Sequence, residues 1–515
     1  MLKRIQKYLL INHPLLWNTR IVPVSCFLIL AHIIFFFIGY QFGRLDFTET
    51  SRHFSNKDSD TVFFFGVVIA IFVVILWLVF YFKNNAFKSF YPKSNWALFK
   101  EWSILFVISL LLCTINLSYL KGYDFRVKSY YSEEEAKKRC ETISDASLFY
   151  GVNYDAPRRK DSIVNDTNKV ITLDYVKFNG RKYSLESVIN KDNKNLPFTN
   201  AWQDSISKRK IKLWLVNGKT DSIKAILKDY FKLVREHKLV SNINEDKWFS
   251  IIYNPPAFEN KKIVAKRESE LFSSKFYDYE DSYAQPATVD YTPEAAVAEN
   301  KIDTLNEYVK TVNNVKYRYY KYYVPAAELE YNYDKIATVY VNPSVDSELV
   351  LLCLYFAVCL SILLFSFKVT SGKNWLITLI SLGVSNIILG ILTIITSSEF
   401  IYVGGLILLF LALLIYFIAK VTAKTTKGIS AIILNAILWL LPAFIPLVYS
   451  FIMIVLRRAY YTNYSYTQGY AEQDPNLTWM ENHAQEMGWL NIAFIIIMLL
   501  ILSFNIRKWK GIAEN

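Results

Sequence analysis

The sequence holds few of the residues that build reactive or metal-binding centres. Five cysteines and five histidines occur in 515 residues, and none forms a Cys-x-x-Cys pair or a Cys/His cluster with zinc spacing. Cys26, Cys113, Cys353 and Cys359 lie inside apolar runs, where a thiol behaves as a small hydrophobe. Cys140 stands in a polar stretch with no second cysteine to pair with. A disulfide-stapled secreted module is excluded, and no metal site is expected. Also missing are a GxSxG elbow, an HExxH helix and a GxGxxG turn. Gly218-Lys219-Thr220 looks like the end of a phosphate-binding loop, but that motif needs a glycine at position 213, which is leucine. The tripeptide reads as a turn. With no catalytic, cofactor-binding or nucleotide-binding motif, the chain is not expected to be an enzyme by itself.

Charge is sparse and apolar residues are abundant. Only 20% of residues are charged, against 53% in the hydrophobic set and 16% aromatic; soluble domains carry about 25% charged residues. Apolar runs near the ~20 residues needed to cross a bilayer occur at about Ile21–Phe42, Thr61–Phe82, Trp102–Leu120, Leu349–Phe367, Trp375–Thr396, Ile401–Ala419, Ile429–Leu456 and Leu490–Phe504. The first is too long and starts too late for a cleaved signal peptide, so it reads as an anchor. The expected fold is an α-helical integral membrane protein of eight transmembrane helices, three and five, around an inserted α+β extracytoplasmic domain. Residues 1–20 form an interfacial amphipathic helix, 21–120 helices one to three, 121–346 the insert, and 347–515 helices four to eight.

Orientation follows from lysine and arginine in short loops. Segments 1–20, 83–101, 368–374, 420–428 and 505–515 hold sixteen basic residues and two acidic ones, Glu101 and Glu514. The opposite segments, the insert aside, hold five basic and nine acidic residues. Both termini are therefore expected in the cytoplasm, the insert outside, and the chain in a cell inner membrane. The net charge of +13 comes mainly from those loops, since the insert has 37 basic and 33 acidic residues. The bilayer, not nucleic acid, is the expected partner of this charge.

Within the insert, Ser132-Glu133-Glu134-Glu135 is a capping box before a short helix ending near Cys140. Strands are expected at 169–176, 182–185, 210–216, 317–324 and 335–341, with Asn179-Gly180 and Asn217-Gly218 as turns. Ile223, Ile226, Leu227, Tyr230, Phe231 and Val234 form a helical stripe expected to pack on the strand before it. Thr292-Pro293-Glu294 reads as a helix start. His237 reads as a solvated helix-face residue and Tyr277–Asp281 as a solvated loop. The tyrosines 317, 319, 320, 322 and 323 fit either strand packing or a stacking platform.

The spans carry no central acid or base except His32, which reads as a hydrogen-bonded interior residue rather than a proton relay. Asn116, Asn386 and Asn435 read as interhelical hydrogen-bonders, and Gly39 with Gly43 as a close-packing pair. Pro442 and Pro446 are expected to kink span seven. An inverted-repeat, ion-coupled transporter finds no support. On the cytoplasmic side, residues 83–101 gather Phe87, Phe90, Tyr91, Trp96 and Phe99. Interfacial anchoring alone accounts for these aromatics; the sharper reading is a docking patch for a cytosolic partner.

The interfacial segment entering span one and the aromatic loop between spans two and three resemble the elbow and coupling helices of bacterial exporter-type ABC transporter permeases. The run Asn12-His13-Pro14-Leu15-Leu16-Trp17-Asn18-Thr19-Arg20 is similar to the start of such proteins. The likeness covers about the first 120 residues, and eight spans with a large insert depart from the usual six-span plan. It implies a permease subunit that moves a substrate with energy from a separate cytosolic ATP-binding subunit. The alternative is a non-transporting sensor or scaffold whose outer domain binds a ligand or envelope partner. Homo- or hetero-oligomers fit both. A membrane-embedded transferase would rely on Asp46, Asp58 and Asp60.

Overall fold

The computed structural model describes residues 2–12, 17, 21–48, 57–85, 94–151, 175–179, 181–184, 188–190, 196–198, 201–254, 264–271, 307–312, 315–423, 429–463 and 475–510. The chain divides into two compact units. One comprises Met1–Gln41, Asp58–Tyr123 and Val345–Asn515; the other comprises Phe42–Lys57 and Asp124–Ser344.

The chain opens with helices α1 (Leu2–Asn12), α2 (Ile21–Phe42), α3 (Lys57–Asn85), α4 (Ala97–Cys113) and α5 (Ile115–Lys128). α4 and α5 meet at a 49° bend. There Thr114 Oγ1 donates back to the Leu110 carbonyl at 2.7 Å, a bond that competes with the helix ladder and bends it. His32 of α2 uses both ring nitrogens on this bent pair, at 2.6 Å from Ser118 Oγ and 2.9 Å from the Leu111 carbonyl. It is the hydrogen-bonded interior residue expected. Gly39 meets a different partner from Gly43: a β-carbon on Gly39 would overlap the Tyr119 carbonyl, and one on Gly122 would overlap that of Phe36. Two glycines on crossing helices let the backbones of α2 and α5 touch.

The second unit holds α6 (Glu133–Ala146), β1 (Tyr175–Phe178), β2 (Arg181–Ser184), α7 (Ala201–Val216), α8 (Thr220–Glu236) and α9 (Glu245–Ile252). The short strands β3 (Val264–Ala265), β4 (Ser269–Leu271), β5 (Glu307–Val312), β6 (Val315–Tyr320) and β7 (Tyr322–Tyr323) follow, then α10 (Ala326–Val341). The sheets are small: β1–β2, β3–β7 and β4–β6–β5. Ser132 caps α6 by accepting from the Glu135 amide, as the capping box requires, though the helix runs on to Ala146. Asn179 turns β1 into β2 with a φ of 46°. In the β5–β6 pair, Tyr308 stacks on Tyr319 at 5.5 Å.

Two expected strands are helices. Residues 210–216 end α7, and Asn217-Gly218 is its C-terminal cap rather than a strand turn. Gly218 takes a φ of 67°, its amide reaches the Leu215 carbonyl and the Lys219 amide reaches that of Trp214. Residues 335–341 close α10, whose buried Leu329, Tyr333, Ile336 and Ala337 follow helical rather than alternate spacing. The stripe on α8 therefore packs against a helix, not a strand, with Ile223, Leu227, Tyr230, Phe231 and Val234 buried and Ile226 half-buried. Tyr230, Phe231 and Tyr150 surround Trp248 of α9, whose indole donates to the Phe149 carbonyl at 3.2 Å. Cys140 is fully buried, and burial pushes its thiol up to about 12, which makes it an inert packing group. Asp124 accepts from the Ser344 amide at 3.1 Å and its hydroxyl at 2.5 Å, pinning the two ends of the insert together. Residues 277–281 and 292–294 lie outside the described residues.

The chain returns through α11 (Ser347–Val369), α12 (Gly372–Thr396), α13 (Glu399–Thr422), α14 (Ser430–Leu440), α15 (Phe444–Asn463), α16 (Pro475–Asn482) and α17 (Ala484–Lys510). A 3₁₀ turn at Leu441–Ala443 breaks the seventh expected span where Pro442 removes a helix donor. Among the described residues seven helices are long and apolar enough to cross a membrane, and the bent α4–α5 pair would make eight. This is a helical, multi-pass membrane protein with little sheet.

Candidate functional site

The candidate docking aromatics divide. Phe87, Phe90 and Tyr91 lie outside the described residues. Trp96 precedes α4, half of its surface exposed, edge-on to Phe99 at 6.3 Å and to Phe504 of α17 at 5.7 Å. Phe99 turns inward, half-buried, and tilts over Trp102 at 5.5 Å. Trp96 is thus the surface member of this pair and Phe99 its support.

One turn further into α4 lies a clasp absent from the sequence reading. Glu101 is ion-paired with Lys368 near the end of α11, both side chains being mostly buried. The Trp102 indole donates to Ser361 Oγ at 3.1 Å, again joining α4 to α11. α11 also binds α14: Trp439 Nε1 donates to Ser366 Oγ at 2.9 Å and Thr370 Oγ1 to Asn435 Oδ1 at 3.1 Å. Removing one member of a buried ion pair strands the other, so the pair holds register more than it adds net stability. Charge counting saw Glu101 only as a loop acid, because its partner lies on a distant helix.

The second unit contains an aromatic socket. Asp46 Oδ1 accepts from the Thr48 amide at 2.9 Å and its hydroxyl at 2.6 Å, forming a turn that presents Phe47. Asp46 is therefore a turn residue here. The Leu45 amide donates to Tyr130 Oη at 3.1 Å. Phe47 is buried, stacked 3.6 Å from His237 with 13° between the rings, and tilted on Tyr333 at 5.6 Å. Behind it, Arg139 donates to Tyr333 Oη at 3.0 Å, reaches Glu135 at 2.7 Å and Glu236 at 2.9 Å, and lies 4.1 Å over the Tyr131 ring.

His237 is half-buried rather than the solvated helix-face residue expected, because a ring from a distant loop covers it. Its Nε2 is 2.9 Å from Tyr333 Oη. Arg139 donates to the same oxygen at 3.0 Å, so Tyr333 Oη joins the histidine to the guanidinium. Burial pulls the His237 pKa down to about 4, Glu236 opposing and Arg139 adding to the shift. Burial pushes Tyr333 up. Burial raises the Glu236 carboxyl, but the Arg139 hydrogen bond and charge outweigh it and the net shift is downward.

Chemically the socket is a lock. Among the described residues, Arg139, Glu135, Glu236, Tyr333 and His237 Nε2 are paired with one another. Among the described residues no group of three or more His, Cys, Asp or Glu side chains is arranged to hold a metal. No protein-family model matches the sequence, and neither the curated proteins nor the solved structures compared with it give a match.

Proposed function

We propose that this chain is the membrane-spanning, permease-like subunit of a transport system, with both termini in the cytoplasm and the α+β insert outside a cell inner membrane. The bent α4–α5 pair counts as one crossing, which makes eight. Energy comes from a separate cytosolic ATPase that docks on residues 83–101. The observation that carries this reading is the Glu101–Lys368 clasp: the helix leaving the aromatic loop is tied, within its first two turns, to α11. A push on the loop is then shared by α4 and α11, and the insert is spliced between the bent α4–α5 pair and α11. The absence of a phosphate-binding loop from the sequence is what calls for a partner.

Native pull-down of the full chain tests this. An ATP-binding protein should co-purify, and Phe90→Ala with Trp96→Ala should release it while membrane insertion persists. Anchors of this kind are worth ~2 kcal/mol or more each. If the unmutated chain recovers no nucleotide-binding protein, the permease reading fails and the sensor or scaffold reading replaces it.

A further inference from the structure

Basic residues concentrate on two adjoining helices of the second unit. Residues 201–236, which hold α7 and α8, carry nine Lys or Arg against four Asp or Glu, whereas the insert as a whole is nearly balanced. α7 buries Ile211 and Leu215 but turns Ile206 and Leu213 outward, 47% and 39% exposed. Seven residues apart, the two share one helix face. Arg209 and Lys210 are exposed on either side of that face, and Lys210 Nζ sits 4.8 Å from the Trp214 ring centroid. α8, packed beside α7, exposes Lys224, Lys228 and Lys232 at four-residue intervals.

Exposed aliphatic side chains flanked by cations, with a tryptophan at the margin, suit the headgroup layer of an anionic bilayer. The aliphatics enter the acyl boundary while the cations meet phosphate oxygens. Charge would attract a soluble polyanion equally well, but such a partner gives Ile206 and Leu213 no reason to be outside. Both ends of the insert continue into membrane-protein helices, so a bilayer is always present at high effective concentration.

We propose that the α7–α8 face is a lipid-binding surface for anionic headgroups, with Ile206 and Leu213 as its apolar contacts and Arg209 and Lys210 as its nearest cations. The test uses the full chain in nanodiscs of phosphatidylglycerol or phosphatidylcholine, its native cysteines replaced by alanine and a bimane label on Leu213→Cys. Brominated lipid should quench the label in phosphatidylglycerol, much less in phosphatidylcholine, and less again at ~0.5 M salt, where exposed charges are screened. Arg209→Gln with Lys210→Gln should lower the docked-to-undocked ratio about 25-fold, fivefold per basic residue. A label on Val240→Cys, 72% exposed on the same unit, should stay unquenched. Hydrogen exchange of residues 205–216 in the unmodified chain should slow in phosphatidylglycerol alone, a readout independent of the substitutions. Absent quenching, equal quenching in both lipids or at both sites, or protection by dextran sulfate without lipid quenching would overturn the proposal, the last in favour of a soluble polyanion.

Discussion

The side-chain amide of Asn491 donates to the carbonyl of Pro442 at 2.7 Å. In a continuous helix that carbonyl would be paired by the amide four residues on, but residue 446 is proline and has none. Asn491, fully buried on α17, supplies the missing donor and also reaches Tyr355 Oη at 2.5 Å. The break between α14 and α15 is thereby satisfied from a third helix, the condition for irregular backbone at membrane depth.

Asn491→Leu should consequently destabilise the solubilised chain by about 0.5–2 kcal/mol, the span measured for interhelical hydrogen bonds in membranes. In a Pro446→Ala background, where the helix regains its own donor, the same substitution should lose less. Equal losses in the two backgrounds, measured by thermal unfolding, would mean that the carbonyl does not depend on Asn491.

Glu101→Gln should lower stability by about 3–5 kcal/mol, since the Lys368 ammonium stays buried without its counter-charge. Glu101→Gln combined with Lys368→Met should cost less than either change alone. A double-mutant cycle on the melting temperature checks this, and additive losses would show that the two side chains do not act as a pair.

The socket makes the insert sensitive to acid. His237 has an ordinary pKa of 6.5 and one of about 4 when folded, so the unfolded chain takes up its proton first. The stabilisation is complete above about pH 6.5 and is lost progressively as the pH falls towards 4. Glu236, whose pKa is lowered from 4.5, keeps its share down to about pH 4.5 and loses it only as the pH falls further. The urea midpoint for loss of protease resistance by the insert should therefore drop between pH ~7 and ~5. His237→Phe, which keeps a ring against Phe47 but cannot titrate, should flatten that drop, and Phe47→Ala should lower the midpoint at both values. An unchanged slope in His237→Phe would assign the acid sensitivity elsewhere.

Hydrophobic length and the placement of lysine and arginine are local properties, so the sequence by itself determined the membrane class, the apolar runs and the expected loop orientation. The Ser132 cap and the α8 stripe were legible for the same reason: each is written within a few turns of chain. Residues 210–216 and 335–341 fit either period because each is a seven-residue stretch in which apolar or β-branched residues predominate, and burial over a longer helix decides between them. Only tertiary structure could decide what pairs residues far apart. Glu101 with Lys368, Phe47 with His237, Gly39 with Tyr119 and Asn491 with Pro442 join segments whose sequences carry no sign of one another. Each depends on where packed helices and turns bring two side chains or backbones, and that geometry exists only once the chain has folded.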